Sequence, residues 1–168
     1  TLGRLLKIVE MIGGRTVYLA LLNENRIALE RLIDLCARSQ FLADQIAAFP
    51  LLLDELIDDR LYESLPSRQE FKADLTDRME GALQEDAERQ IELLRQFQRA
   101  ALFRIAVADL SGHLPLMKVS DRLTDLAELI LAQTFVISWA QVAARHGTPQ
   151  CGPDEAHLMA TRGQMNLE

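Results

Sequence analysis

The sequence predicts an all-α fold, an irregular helical bundle built around two long antiparallel helices. Glycine and proline number only 8 and 5, and aromatic residues make up 5% of the 168 residues. Leucine, alanine, glutamate, arginine and glutamine are abundant instead, and these residues lose little side-chain freedom in a helix. Apolar residues recur at spacings of three and four, and no segment shows the strict alternation of a strand.

The first third of the chain is predicted to form short helices. Apolar residues indicate helices over residues 2–12 and 15–22, separated by Gly13 and Gly14. Asn23 or Asn25 can cap a third helix that runs to about residue 37, because a short polar side chain accepts hydrogen bonds from free backbone N–H groups. The residues expected to be buried there are Ile27, Leu32 or the stem of Arg31, and Leu35.

Two further helix starts are marked by single residues. Ser39 can cap a fourth helix that ends near Phe49. Pro50 suits the first position of a short helix that ends at residue 57, because its missing N–H is not needed there. Residues 58–66 are then predicted to be a linker, and Ser67 with Glu70 forms a capping-box pattern that starts a helix to about residue 82.

Two long helices are predicted to follow, over residues 86–110 and 120–146. Gly112 can end the first in the left-handed conformation, Gly147 is a natural cap for the second, and Pro149 supports the second stop. The first core face is expected at Leu94, Phe97, Ala101, Ile105 and Ala108. The second is expected at Leu123, Leu126, Ile130, Ile137 and Ala140.

The predicted helices divide the chain into four parts. Residues 1–57 form a short-helix subregion, 58–66 a linker, 67–147 a long-helix bundle and 148–168 an irregular, polar tail. The chain opens on Thr1 rather than methionine, which indicates a piece of a longer protein.

Composition argues against several classes of partner. The formal net charge is −7 with only three lysines, whereas binding to a nucleic acid duplex needs clustered basic residues. The most apolar stretch, residues 126–144, is interrupted by Glu128, Gln133 and Gln141, so a buried helix is expected rather than a membrane span.

The two cysteines, Cys36 and Cys151, lack the spacing of a metal site. Cys36 is expected to be a buried free thiol. Nothing requires a disulfide, so a reducing cytoplasm fits the sequence.

Acidic clusters are the first candidates for a site. Asp121, Asp125 and Glu128 share one helix face, where they could hold a hard cation or, as we favour, lie solvated near a helix N-terminus. Asp54, Asp58 and Asp59 form a second cluster, for which a solvated loop is favoured over a partner contact.

Histidines and isolated charges give weaker candidates. His113, His146 and His157 lack the Glu-x-x-His spacing of di-iron bundles and are expected to be non-catalytic. Arg104 and Asp109 lie in an apolar run, where a structural salt bridge is favoured and a contact to a neighbouring catalytic domain is the alternative. Trp139 is expected in the core.

Known catalytic motifs are missing from the sequence. It has no glycine-rich phosphate loop, no Gly-x-Ser-x-Gly turn and no Cys/His nucleophile pair. An Asp-x-Asp pair after a Gly-Ser turn, which two-metal nucleotidyl transfer requires, is also missing.

Several segments together carry a family resemblance. They are YLALLNEN at 18–25, LIDLCARS at 32–39, FPLLLDEL at 49–56, LFRIAVADLSG at 102–112, LPLMKVSD at 114–121 and LTDLAE at 123–128. In this order they resemble the bifunctional glutamine synthetase adenylyltransferase/adenylyl-removing enzymes, also called glutamate-ammonia-ligase adenylyltransferases. The resemblance covers about residues 15–147.

The resemblance implies a parent enzyme with two nucleotidyltransferase-like halves. One half attaches AMP from ATP to a tyrosine of glutamine synthetase, with Mg²⁺ as the implied metal. The other half removes the AMP by phosphorolysis, and glutamine and the PII signalling protein regulate the balance. The cytoplasm is the expected compartment.

The family's catalytic signature is a Gly-x-Gly-Lys-Leu-Gly-Gly stretch followed by Ser-Asp-x-Asp, and this chain does not contain it. We therefore predict a non-catalytic helical segment that precedes the adenylylating core, with the tail leading towards that core. No catalytic, cofactor-binding or metal-binding residue is carried over. The candidate domain-contact residues are Arg104, Asp109, Lys118, Ser120 and Asp121.

The alternative is a freestanding helical module that binds a protein or senses a ligand. A ligand sensor should have a roomy apolar pocket with a few converging polar groups. A transferase segment should instead expose an apolar patch where a catalytic core docks.

Overall fold

A computed structural model describes residues 2–14, 16–58, 65–82, 87–110, 112 and 115–149. Within these ranges the chain is all-α, and no strand occurs in them. The elements are α1 (Leu2–Ile12), α2 (Thr16–Glu24), α3 (Arg26–Arg38), α4 (Gln40–Ala48), a 3-10 helix (Pro50–Ile57), α5 (Arg68–Glu80), α6 (Ala87–Leu110) and α7 (Leu116–His146).

Caps fix the boundaries of the short helices where the sequence predicted them. The Asn25 side chain accepts a hydrogen bond from the backbone N–H of Ala28 at 3.1 Å, which satisfies a free donor at the start of α3. Ser39 ends α3 and starts α4, since its N–H donates to the Leu35 carbonyl and its hydroxyl accepts from Leu42. Pro50 begins the following element, which is a 3-10 helix.

The predicted caps of the longer helices are also present. Ser67 and Glu70 form the reciprocal capping box of α5. Gly112, just after α6, and Gly147, which ends α7, have positive φ values of 73° and 81°, a conformation that glycine adopts without a side-chain clash.

The start of α7 differs from the prediction. The helix begins at Leu116, four residues before the predicted Ser120. Pro115 occupies the capping position with extended backbone angles, and its carbonyl accepts from the N–H groups of Lys118 and Val119 at 2.9 and 3.4 Å. A proline just before a helix needs no donor of its own, so the helix can start directly after it.

Buried residues form two hydrophobic clusters. The first unites α1 to α4 and the 3-10 helix, and α6 contributes Phe103 and Val107 to it. Leu32 and Leu35 are buried as predicted. The prediction that Ile27 is buried is wrong, because Ile27 is 55% exposed. It occupies the outer side of α3, while the next residue, Ala28, faces the core.

The second cluster unites α5, α6 and α7. Its centre includes Phe71 of α5 and Phe97 of α6, whose rings meet edge to face with centroids 6.4 Å apart. The predicted α6 face is confirmed, since Leu94, Phe97, Ala101, Ile105 and Ala108 are all buried. The long helices α6 and α7 pack against each other, whereas their antiparallel direction and the four predicted subregions stay predictions.

The predicted core face of α7 is only partly correct. Leu126 and Ile137 are buried and Ile130 is half-buried, but Leu123 and Ala140 are exposed. Trp139, expected in the core, is 45% exposed. The expectation of a buried helix over residues 126–144 is therefore wrong, because one face of α7 packs in the bundle while another is uncovered.

The same exposure bears on membrane insertion. Within the described ranges α7 is the one helix long and apolar enough to cross a membrane by length and composition, with a mean hydropathy of 1.4 in its most apolar window. Core helices of soluble proteins pass the same test, so this is weak evidence.

Candidate functional site

Arg104, the first candidate contact residue, is engaged inside the chain. It projects from α6 and its Nε donates to a carboxylate oxygen of Glu55 in the 3-10 helix at 2.5 Å. A second guanidinium nitrogen lies 3.7 Å from the Asp74 carboxylate of α5. Both members of the Arg104–Glu55 pair are largely buried, with side chains 23% and 12% exposed. For Arg104, the structural salt bridge favoured from the sequence is present.

The other candidate contact residues are exposed. Asp109 lies in the last turn of α6, where its carbonyl accepts from the N–H of Gly112 at 3.0 Å. Lys118, Ser120 and Asp121 lie in the first two turns of α7. The structure thus separates Arg104, which is paired internally, from four residues that a neighbouring domain could reach.

The acidic face of α7, which we call the acidic stripe, includes Asp125 and Glu128, and both accept hydrogen bonds from arginines. One guanidinium nitrogen of Arg68, at the start of α5, donates to Asp125 at 3.1 Å and also to Glu128. Arg122 donates to the other oxygen of Asp125. The hydrogen bonds that Arg68 donates, first to Glu128 and then to Asp125, raise the pKa of Arg68. The stripe therefore fastens α5 to α7, and among the described residues no cluster of acids, histidines or cysteines could hold a metal ion.

The second acidic cluster is only partly described, because Asp59 lies outside the described ranges. The Asp58 carbonyl accepts from Arg31 at 3.2 Å. Asp54 as a whole residue is exposed. Its carboxyl group is nevertheless partly desolvated by the surrounding protein, and this desolvation raises its pKa. The negative charge of Asp54 is thus less well solvated than that of a free aspartate.

The described ranges include one histidine, His146, and one cysteine, Cys36. His146 is exposed in the last turn of α7, next to Arg145, where positive charge suits the helix dipole. His113, His157 and Cys151 lie outside the described residues. Cys36 is a buried free thiol, as predicted, and burial raises its pKa. A raised pKa suppresses the reactive thiolate.

Helix α7 has an exposed apolar face. Leu131, Phe135, Trp139 and Val142 follow one another at spacings of four, four and three residues, so they share one side of the helix. Their exposed fractions run from 45% to 69%. The Phe135 and Trp139 rings stack with centroids 6.1 Å apart and planes 20° from parallel. We call these four residues, with the exposed Val136 beside them, the outer stripe.

The outer stripe could have been predicted from the number of apolar residues in α7. The predicted core positions and the outer stripe both follow helical spacing, so α7 has more apolar positions than one buried face requires. An exposed apolar patch is the feature expected of a segment that docks against a catalytic core.

A pocket of 400 Å³ lies between the end of α4, the 3-10 helix, α5 and α6. The two arginines of its lining already have partners: Arg78 is bound to Asp74 at 2.6 Å, and Arg99 lies 3.9 Å from both Glu92 and the Phe49 ring centroid. A second pocket, of 260 Å³, follows the groove between α6 and α7. The first is large enough for a small molecule, but its arginines already form ion pairs within α5 and α6.

Comparison with known proteins gives a consistent result. The family model for glutamate-ammonia ligase adenylyltransferase matches residues 29–161. The bifunctional glutamine synthetase adenylyltransferase/adenylyl-removing enzyme of Pseudomonas putida is 48% identical over 149 residues, which are 89% of this chain and 15% of that protein. The proteins of that name from Mannheimia succiniciproducens and Pseudomonas aeruginosa are 49% and 45% identical over 89% and 91% of this chain. The chain spans about 15% of the length of these relatives.

Proposed function

Because the chain belongs to the glutamate-ammonia ligase adenylyltransferase family, we propose that it is a non-catalytic helical part of an enzyme that adenylylates glutamine synthetase. The observation that carries the proposal is the family match over residues 29–161, supported by relatives at 45–49% identity that bear this name. The reaction would transfer AMP from ATP to a tyrosine of glutamine synthetase. The adenylyl-removing activity would release the AMP by phosphorolysis.

The proposal that this part is non-catalytic rests on its side chains. Metal-assisted nucleotidyl transfer needs carboxylates free to hold cations beside the transferred phosphoryl group. The best-placed carboxylates here, Asp125 and Glu128, instead accept hydrogen bonds from Arg68. Asp125 and Glu128 are therefore not free to hold Mg²⁺, and we propose that the Mg²⁺ and ATP sites lie elsewhere in the parent enzyme.

The proposed partners follow from the relatives and from the sequence resemblance. Glutamine synthetase is the protein that the relatives' names specify as the target. PII is proposed from the resemblance alone, and so is a cytoplasmic location. The freestanding sensor receives less support, because the chain spans only about 15% of its relatives and the arginines that line the 400 Å³ pocket are already paired.

The gene provides the first test. Reading the codons beyond Glu168 should reveal a Gly-Lys-Leu-Gly-Gly-like stretch followed by Ser-Asp-x-Asp. A reading frame that continues without such a stretch would contradict the proposal that the catalytic core follows this segment.

The adenylyl-removing activity provides a second test. The full-length protein, given adenylylated glutamine synthetase and inorganic phosphate, should release ADP and restore the free tyrosine. Phosphate attacks the AMP phosphorus, the tyrosine oxygen leaves, and ADP contains both phosphoryl groups. Full-length protein that releases no ADP would contradict the bifunctional assignment.

A further inference from the structure

Helix α7 has two apolar faces, and the fold covers only one of them. Val119, Leu126 and Ile137 pack in the second hydrophobic cluster. The outer stripe faces solvent, with Leu131 and Phe135 69% and 67% exposed. Exposing large apolar side chains in a row has no benefit for the folding of this segment, since a polar residue at each position would serve the bundle equally.

We infer that the outer stripe docks against an apolar, charge-poor surface elsewhere on the same, longer polypeptide. The inference rests on the proposed function in one respect, namely that the chain is part of a larger enzyme. It adds the surface through which this part attaches and the chemistry of the surface that it meets. Relatives of the chain contain more than five times as much additional sequence, since the match covers about 15% of each.

The composition of the stripe indicates a dry protein contact. Residues 129–144 include no charged side chain, and the centres of protein interfaces are depleted of charge in the same way. The Phe135 and Trp139 rings are already stacked on each other, so little side-chain freedom is lost when a partner covers them. Aromatic anchors of this kind dominate binding energy at interfaces.

The size of the stripe favours a partner on the same polypeptide over a second copy of the chain. Its five side chains expose on the order of 500 Å², whereas a standard interface buries about 800 Å² on each partner. A covalently connected partner is present at an effective concentration of about millimolar, so a smaller patch suffices. Two copies of a segment with a net charge of −7 would also repel each other.

The surroundings of the stripe disfavour a lipid surface. Helices that lie on membranes combine an apolar face with lysines and arginines that meet anionic headgroups. Between Arg122 and Arg145, α7 contains no lysine or arginine, and Asp125 and Glu128 precede the stripe. The side of α7 away from the stripe is packed in the bundle, so spanning a bilayer would break the second cluster.

Site-specific photo-crosslinking in the full-length protein tests the inference. Phe135 is replaced by p-benzoylphenylalanine, which is apolar and of similar shape, and the protein is irradiated with and without vesicles of phosphatidylethanolamine and phosphatidylglycerol. Leu131 is replaced in the same way in a second protein, in case one replacement disturbs folding. The matched control replaces Ile27, an exposed apolar residue on α3. Circular dichroism checks that helix content is retained.

We expect crosslinks from both stripe positions to peptides of the same polypeptide outside these 168 residues, without a change in monomer mass and at a yield several-fold above the control. Crosslinked dimers would overturn the inference in favour of a second copy. Crosslinks only to lipid, or none above the control, would overturn it as well. The readout does not use AMP transfer, so an inactive protein with crosslinks within the polypeptide would refute the proposed function and leave the docking surface standing.

Discussion

The Nε of Arg104 donates to the Glu55 carboxylate at 2.5 Å and thereby ties α6 to the 3-10 helix. The residues on either side of Arg104 in α6 belong to different hydrophobic clusters, Phe103 to the first and Ile105 to the second. The same guanidinium approaches Asp74 of α5 at 3.7 Å. One charged side chain therefore connects the parts of the molecule where the two clusters meet.

Replacing Arg104 by leucine should destabilise the fold by about 2 kcal/mol, because it leaves the Glu55 carboxylate mostly buried without its partner. Asp74 should be affected less, since it keeps Arg78 at 2.6 Å. Urea unfolding followed by circular dichroism measures the change.

A second variant separates the ion pair from general damage to the packing. Replacing both Arg104 and Glu55 by leucine should cost less than the Arg104→Leu variant alone, because no unpaired charge is left behind. The Arg26→Leu variant breaks an exposed pair with Glu30 and should have almost no effect. Equal losses in Arg104→Leu and Arg26→Leu would show that the Arg104 contact is no stronger than a surface pair.

The capping box of α5 predicts a local effect. In Ser67→Ala, the N–H of Glu70 loses the hydroxyl that accepts its hydrogen bond at 3.3 Å, and the stability loss should be about 1 kcal/mol. Hydrogen exchange should accelerate most in the first turn of α5. Ser67→Asp retains an acceptor and should recover most of the loss, and failure of this variant to do so would argue against capping as the cause.

Asp54 predicts a stabilising substitution. Burial raises the pKa of its carboxyl group, so the folded state binds a proton more readily than the unfolded state. The wild-type protein then gains stability as the pH falls through the raised pKa. Asp54→Asn should therefore raise the urea midpoint at pH 7, and its advantage should disappear below the unfolded pKa of about 3.9.

Asp44 provides a control of opposite sign. Hydrogen bonds from Lys7 at 2.7 Å and Gln40 at 2.9 Å lower the pKa of its carboxyl group. Its contribution is present above the unfolded pKa and is lost as the pH falls through the lowered one. Asp44→Asn should thus lower the midpoint at pH 7 and have no effect in strong acid. Shifts of the same sign in Asp44→Asn and Asp54→Asn would contradict the assigned environments.

Cys36 should resist modification in the native protein. Its thiol is buried and its pKa is raised by that burial, so access and thiolate content are both reduced. In a Cys151→Ser background, a soluble disulfide reagent should label Cys36 slowly in buffer and rapidly in urea. Rapid labelling of the folded protein would show that the first hydrophobic cluster opens readily.

Local sequence signals were sufficient for the elements that local chemistry decides. Asn25, Ser39, Ser67 and Gly147 mark helix ends through hydrogen bonds or φ angles that involve their nearest neighbours. The buried face of α6 was also predictable, because its apolar residues at helical spacing pack into the two clusters, while Ile91 and Leu102 of the same helix are exposed.

Features that depend on distant residues were not predictable. Arg68 and Asp125 are 57 residues apart in sequence, and no local pattern indicates that α5 would bring them together. The prediction that Trp139 lies in the core was wrong for a related reason. Helical spacing shows which residues of α7 share a face, but the packing of other elements determines which face is covered.

Transfer of AMP to glutamine synthetase can be measured for the whole protein and for this part of it. The full-length protein and the isolated 168-residue chain are each incubated with unmodified glutamine synthetase, Mg²⁺ and ATP labelled at the α-phosphate. We expect label on glutamine synthetase with the full-length protein and none with the isolated chain. Label transferred by the isolated chain, or none transferred by the full-length protein, would contradict the proposed function.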